Sequence, residues 1–99
     1  MTLRYELSPD ADQDVEAIYD YTAEKFGAAQ AMSYLAGIDE ILGQLVRNPE
    51  LGRDRAEIKP GLRSVVHESH TIFYRILSDR LRIVRIMHGS RDVLRAQID

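Results

Sequence analysis

The sequence predicts an α/β fold of the α+β type, ordered β-α-α-β-β-β, with a helical hairpin packed on one face of a mostly antiparallel sheet. Three observations lead there. Residues 9–46 repeat apolar side chains at helical spacing, with one break at Gly27. Residues 62–88 alternate in strand fashion and are interrupted at Glu68-Ser69 and again at Ser78-Asp79-Arg80, gaps that suit hairpin turns. A short alternating segment precedes the helices. With 99 residues the chain can build one core, so residues 1–99 are read as a single domain.

Each element has a local cause. From Thr2 to Leu7, Leu3, Tyr5 and Leu7 alternate with Arg4 and Glu6, a strand pattern. Ser8 then caps a helix that Pro9 can begin, since the first helical turn needs no N–H from it. Asp10, Asp12, Asp14 and Glu16 favour the positive end of that helix. Ala11, Val15, Ile18, Thr22 and Phe26 form its expected buried stripe, and Gly27 stops it. The second helix runs from about Ala28 to Val46, with Met32, Leu35, Ile38, Ile41, Leu42 and Leu45 on a wide apolar face. Almost no loop separates the two helices, so they fold back on each other. Asn48-Pro49 ends the second. A linker, residues 50–61, leads to three strands at Leu62–His67, His70–Leu77 and Leu81–His88, and Gly89-Ser90 closes the last.

The helices cover one face of the sheet. The strands nevertheless read as apolar on both sides: Ile72, Tyr74 and Ile76 alternate with Thr71, Phe73 and Leu77. An antiparallel sheet with one wet face alternates more cleanly, so either a partner or the polar tail after Gly89 covers the second face.

Charge is divided unevenly. The formal net charge is −3, but residues 1–50 carry −7 and residues 51–99 carry +4. Eleven of the thirteen basic residues are arginine, whose planar fork suits carboxylate or phosphate. Those arginines either meet the acidic helices within the fold or face an acidic partner. Without cysteine, thiol nucleophiles and cysteine-based zinc sites are excluded. There is no apolar run of membrane-spanning length and no secretory leader pattern, so a cytoplasmic location is expected, with no membrane association. No cofactor or metal is expected. His67, Glu68 and His70 are closely spaced, but a hairpin is expected to splay or expose them, and a third ligand is missing.

Strand register decides where the basic side chains point. A two-residue turn at Asp79-Arg80 would place Tyr74 opposite Arg85, Phe73 opposite Ile86 and Arg75 opposite Val84. The first hairpin would set Tyr74 against Arg63. Arg63, Tyr74 and Arg85 would then stack on one face, with Thr71, Arg75 and His88 on the other, and a one-residue slip inverts the assignment.

The segments LSPDADQDVEAIYDYTAEKFG, NPELGR, EIKPGLR and HTIFYRI…RIVRIMHGSRD resemble, in order and spacing, the ParE branch of the RelE/ParE toxin superfamily. The resemblance spans nearly the whole chain. It implies the toxin of a type II toxin–antitoxin module, acting by binding DNA gyrase and neutralised by a ParD-like antitoxin. DNA recognition would belong to the antitoxin, with no sequence-specific DNA binding by this chain alone. The RelE branch instead cuts mRNA on the ribosome with a basic cluster, usually including an arginine on the strand matching His70–Leu77 and often a tyrosine or histidine near the C-terminus. Here Thr71 stands at that strand position, and neither tyrosine nor histidine follows His88. Catalytic residues are therefore not expected; a ribonuclease alternative would have to use Arg75, Arg85, His88 and Arg91. Target contacts are expected from Arg63, Arg75, Arg85, His88 and Arg91. Antitoxin contacts are expected from Tyr19, Tyr34, Phe73, Val84 and Ile86. A non-toxic relative that only binds its antitoxin is a further alternative.

Overall fold

The computed structural model describes residues 4–89. In chain order these form β1 (Arg4–Leu7), α1 (Pro9–Phe26), α2 (Ala28–Arg47), a 3-10 turn (Pro49–Leu51), β2 (Arg53–Asp54), β3 (Arg63–His67), β4 (His70–Ile76) and β5 (Arg80–His88). The sheet order is β1-β5-β4-β3-β2. β1 runs parallel to β5, and the other pairs are antiparallel.

Ser8 ties the start of the fold together. Its hydroxyl accepts from the Ala11 N–H at 3.0 Å, capping α1. The same hydroxyl donates to the Val84 carbonyl at 2.8 Å, and the Ser8 N–H donates to the Ile83 carbonyl at 2.9 Å. One small side chain thus fixes the entry angle of α1 against β5. Gly27 is both the end of α1 and the cap of α2. Its φ of +92° is the reason for glycine there, since a side chain would meet open space.

Two clusters fill the interior. Between helices and sheet, Ala11, Ile18, Ile38, Leu42 and Leu45 pack on Ile72, Tyr74, Leu81, Ile83 and Ile86. On the opposite sheet face, Leu62, Phe73, Val84 and Met87 pack together under Ile58. Each of the larger fully buried side chains is worth roughly 1.5–3 kcal/mol of burial. The second face is thus covered in part by the linker itself: Ile58 and Leu62 lie on it, and the Arg55 guanidinium sits 5.5 Å from the centre of the Phe73 ring. Phe73 and Val84 on that face are 0% and 2% exposed, and the tail after Gly89 lies outside the described residues.

The register corrects the expected arginine stack. The turn centres on Ser78-Asp79, with the Leu77 N–H bonded to the Arg80 carbonyl. A bulge follows: Tyr74 pairs with Ile83 while Phe73 pairs with Arg85, leaving Val84 as the extra residue. Arg63 does lie opposite Tyr74, but Ile83, not Arg85, flanks Tyr74 on its other side. Thr71 pairs with Met87 and His70 with His88, so Thr71 and His88 point to opposite faces. Two stripe residues also fall outside the core. Phe26 and Met32 are 69% and 63% exposed, because the helical hairpin extends beyond the sheet at its tip.

Candidate functional site

An open groove of about 750 Å³ lies between α1, the first turns of α2, and the end of the sheet formed by β5 and the β3–β4 turn. Ile18, Ile86 and Met87 contribute apolar surface, and Tyr21, Phe26 and Tyr34 supply aromatic walls. Tyr21, like Phe26, is largely exposed.

The bulge in β5 builds one wall. Asp14 on α1 accepts from Arg85 Nε at 2.8 Å and from a second Arg85 nitrogen at 3.0 Å, a bidentate pair. Asp14 also accepts the Ile86 N–H at 2.9 Å. Both side chains are mostly buried, at 18% and 16% exposed. The Asp14 hydrogen bond and charge raise the Arg85 guanidinium further above its already high range. β1 pairs with β5 only as far as Ile83. Beyond it, Ser8 occupies the Val84 carbonyl and Asp14 the Ile86 N–H, so α1 closes this stretch of edge to strand addition. The outer edge of β1 is one edge of the sheet, beside a shallow hollow lined by Arg4, Tyr5, Gly43, Val46 and Arg47.

All three histidines gather at the other wall. His67 pairs with His70 across the two-residue turn, and His70 pairs with His88. The Tyr34 hydroxyl lies 2.5 Å from His70 Nδ1, and its ring stands 5.5 Å from His67 and 5.4 Å from His70. His70 and His88 meet edge-on at 5.6 Å. Burial, then the neighbouring His88 and His67, push the His70 imidazole below its ordinary value, against a smaller opposing pull from Asp14. The expectation that this hairpin would splay its histidines is overturned. Direct cross-strand pairing puts them on one face, and the two-residue gap between His67 and His70 was the signal for it. Among the described residues no group of histidines and carboxylates has the geometry to hold a metal ion.

The other expected contact residues disperse. Arg63 donates to the Gly52 and Glu50 carbonyls at 3.1 and 3.2 Å, holding the turn after α2. Arg75 donates to the Pro60 carbonyl at 2.8 Å, on the linker side of the sheet. His88 stands exposed at the groove rim, and Arg91 lies outside the described residues. Tyr34 lines the groove, whereas Tyr19, half-buried on α1, does not. Phe73, Val84 and Ile86, expected as antitoxin contacts, are 0–2% exposed in this chain, and Ile86 also borders the groove. Much of the remaining arginine is also internally paired. Glu6 takes Arg80 at 2.5 Å and Arg82 at 2.6 Å, and Arg82 followed by Arg80 holds its carboxyl below the usual range. The acidic front half of the chain thus neutralises part of the basic sheet. Asp14, Tyr21, Phe26, His67 and His70 are the groove residues that sequence reasoning missed.

Among the described residues, Arg75 lies on the linker side of the sheet, away from Arg85 and His88, and Arg85 is paired with Asp14. The ParE toxin model of type II parDE toxin–antitoxin systems matches residues 5–93. The chain belongs to the ParE toxin family. Toxin ParE1 of Mycobacterium tuberculosis is similar to this ParE-family chain, 38% identical over 94 residues, which cover 94% of this chain and 96% of that toxin. In fold, a solved structure of the chromosomal ParDE system of P. aeruginosa matches with a TM-score of 0.77 at 24% identity, covering 88% of this chain and 96% of that one. The RelBE2 toxin–antitoxin complex of Mycobacterium tuberculosis matches at 0.67 and 20% identity, covering 89% and 99%. The α+β architecture is therefore that of RelE/ParE toxins. Among the described residues no helix is long and apolar enough to cross a membrane.

Proposed function

We propose that this ParE-family chain, a single domain acting in the cytoplasm, is a toxin that inhibits DNA gyrase by binding and is held inactive by a ParD-like antitoxin. The observation that carries the reading is the contrast between its cations and its groove. Arg63, Arg75 and Arg85 are engaged by acceptors of the same chain, which disfavours RNA cleavage, where free cations must meet a phosphate. The groove stays open, ring-walled and more apolar than polar, a form of surface that can take the apolar face of an amphipathic segment. A disordered antitoxin tail that folds on contact suits such a surface. Any strand it adds would go to the outer edge of β1, since Ser8 and Asp14 occupy the bulged part of β5.

Induced expression of the chain alone should arrest growth and raise the DNA-damage response. Co-expression with the protein of the neighbouring reading frame should restore growth and yield a complex that co-purifies. Arrest with cleaved transcripts in primer extension would replace gyrase inhibition with the ribonuclease alternative. Normal growth would leave only a non-toxic relative.

A further inference from the structure

Three imidazoles stand side by side on three adjacent strands at one wall of the groove. Among the described residues, these groups surround them. From α1 comes Asp14, already shared between Arg85 and the Ile86 N–H. From α2 come the Tyr34 hydroxyl at His70 Nδ1 and the backbone at Gly37, where a Cβ would lie 2.9 Å from His67 Nε2. The turn contributes exposed Glu68, and β5 contributes Arg85.

When neutral, the row offers ring faces and edges continuous with Tyr34, an apolar surface that a partner can cover. When protonated, it sets like charges directly opposite one another on neighbouring strands. Covering a charged imidazole with apolar side chains also strips its water without replacing it. Imidazole makes this change near neutrality.

We propose that the groove grips its antitoxin segment only while the histidine row is neutral, so that docking expels protons and mild acid loosens the complex. The inference rests on the toxin–antitoxin reading above and concerns the regulation of that same groove. The segment it fits lays apolar side chains, not carboxylates, over Tyr34, His70 and His88. His70, at the middle of the row, is itself held toward its neutral form by burial and its neighbours.

The test uses the complex obtained by co-expression. The antitoxin is titrated calorimetrically into the full chain at pH 7.5, 6.5 and 5.5, in two buffers of different ionisation heat at each pH. For every proton that must leave, affinity should fall about tenfold per pH unit once the pH is below the value of that imidazole in the free chain. The buffer comparison should report proton release. His88→Asn, at the exposed rim, should lower the number of protons released and flatten the pH profile. His70→Asn should do the same provided its circular dichroism matches the parent. Affinity that is independent of pH, or tighter in acid, would overturn the inference and leave the toxin–antitoxin reading intact. Proton release unchanged in both variants would also overturn it. Failure of any antitoxin to co-purify would instead remove the underlying reading.

Discussion

Replacing Asp14 with alanine tests the part of the structure that shapes the groove. The carboxylate accepts three hydrogen bonds, two from Arg85 and one from the Ile86 N–H, at 2.8–3.0 Å. Its removal strands a mostly buried guanidinium beside an unpaired amide on the bulge. Breaking a buried pair from one side costs about 3–5 kcal/mol. Arg85 retains 18% exposure and can reach water, which favours the lower end, about 3 kcal/mol. For a domain of this size that corresponds to a melting temperature lower by roughly 12–24 °C. Urea denaturation of the parent, Asp14→Ala, Arg85→Met and the double variant measures it directly. The double variant removes the stranded charge, so its cost should be smaller than the sum of the two single costs by about 1–3 kcal/mol. Asp14→Asn keeps an acceptor for the Ile86 N–H and should lose about half as much as alanine. A cost below about 1 kcal/mol for Asp14→Ala, or additive single variants, would refute the claim that this pair locks α1 to the bulge.

Two further predictions concern stability. Tyr74 is fully buried; its hydroxyl donates to the Pro49 carbonyl at 2.6 Å and accepts from the Gly52 N–H at 2.9 Å. Tyr74→Phe should therefore cost about 2–4 kcal/mol in urea denaturation, since it leaves two backbone groups without their partner; a cost near zero would mean that water replaces the hydroxyl. Stability should also fall twice on acidification. His70 is depressed in the folded chain, so its contribution is complete above the ordinary imidazole value and is lost as pH falls through its folded value. Glu6, Glu57 and Asp79 are held low chiefly by Arg82, Arg55 and Arg80 respectively, so their contribution is present above the ordinary carboxylate range and is lost as pH falls through their depressed values. The second fall should shrink in high salt, because these carboxylates are exposed. Denaturation midpoints measured from pH 8 to pH 3 check both steps.

Local chemistry carried the element boundaries. Ser8-Pro9 and Gly27 mark the ends of α1 as the structure has them, because caps and φ preferences act within a few residues. The two-residue gap at Glu68-Ser69 likewise fixed Tyr74 opposite Arg63. What escaped were features made at a distance. The bulge at Val84 depends on Ser8 and Asp14 drawing α1 across β5, pairings more than 70 residues apart in sequence. The turn at Ser78-Asp79 set Tyr74 against Ile83, and the extra residue then placed Arg85 opposite Phe73, where it pairs with Asp14 of α1. The linker also gave no pattern of a lid, yet Ile58 and Arg55 cover part of the second face. Apolar alternation on both sides of the strands pointed to cover on both faces, but it did not name Ile58 and Arg55 of the linker as part of that cover. The groove was hidden for the same reason: Phe26 reads as core by spacing and is exposed because the helices outrun the sheet.

The most direct measurement of the proposed activity adds the purified chain to DNA gyrase and supercoiled plasmid, with an in vitro translation reaction run beside it. The account predicts inhibited supercoiling and accumulated double-strand cleavage, both reversed by the antitoxin, while translation proceeds. Undisturbed gyrase together with cleaved messenger RNA would contradict it.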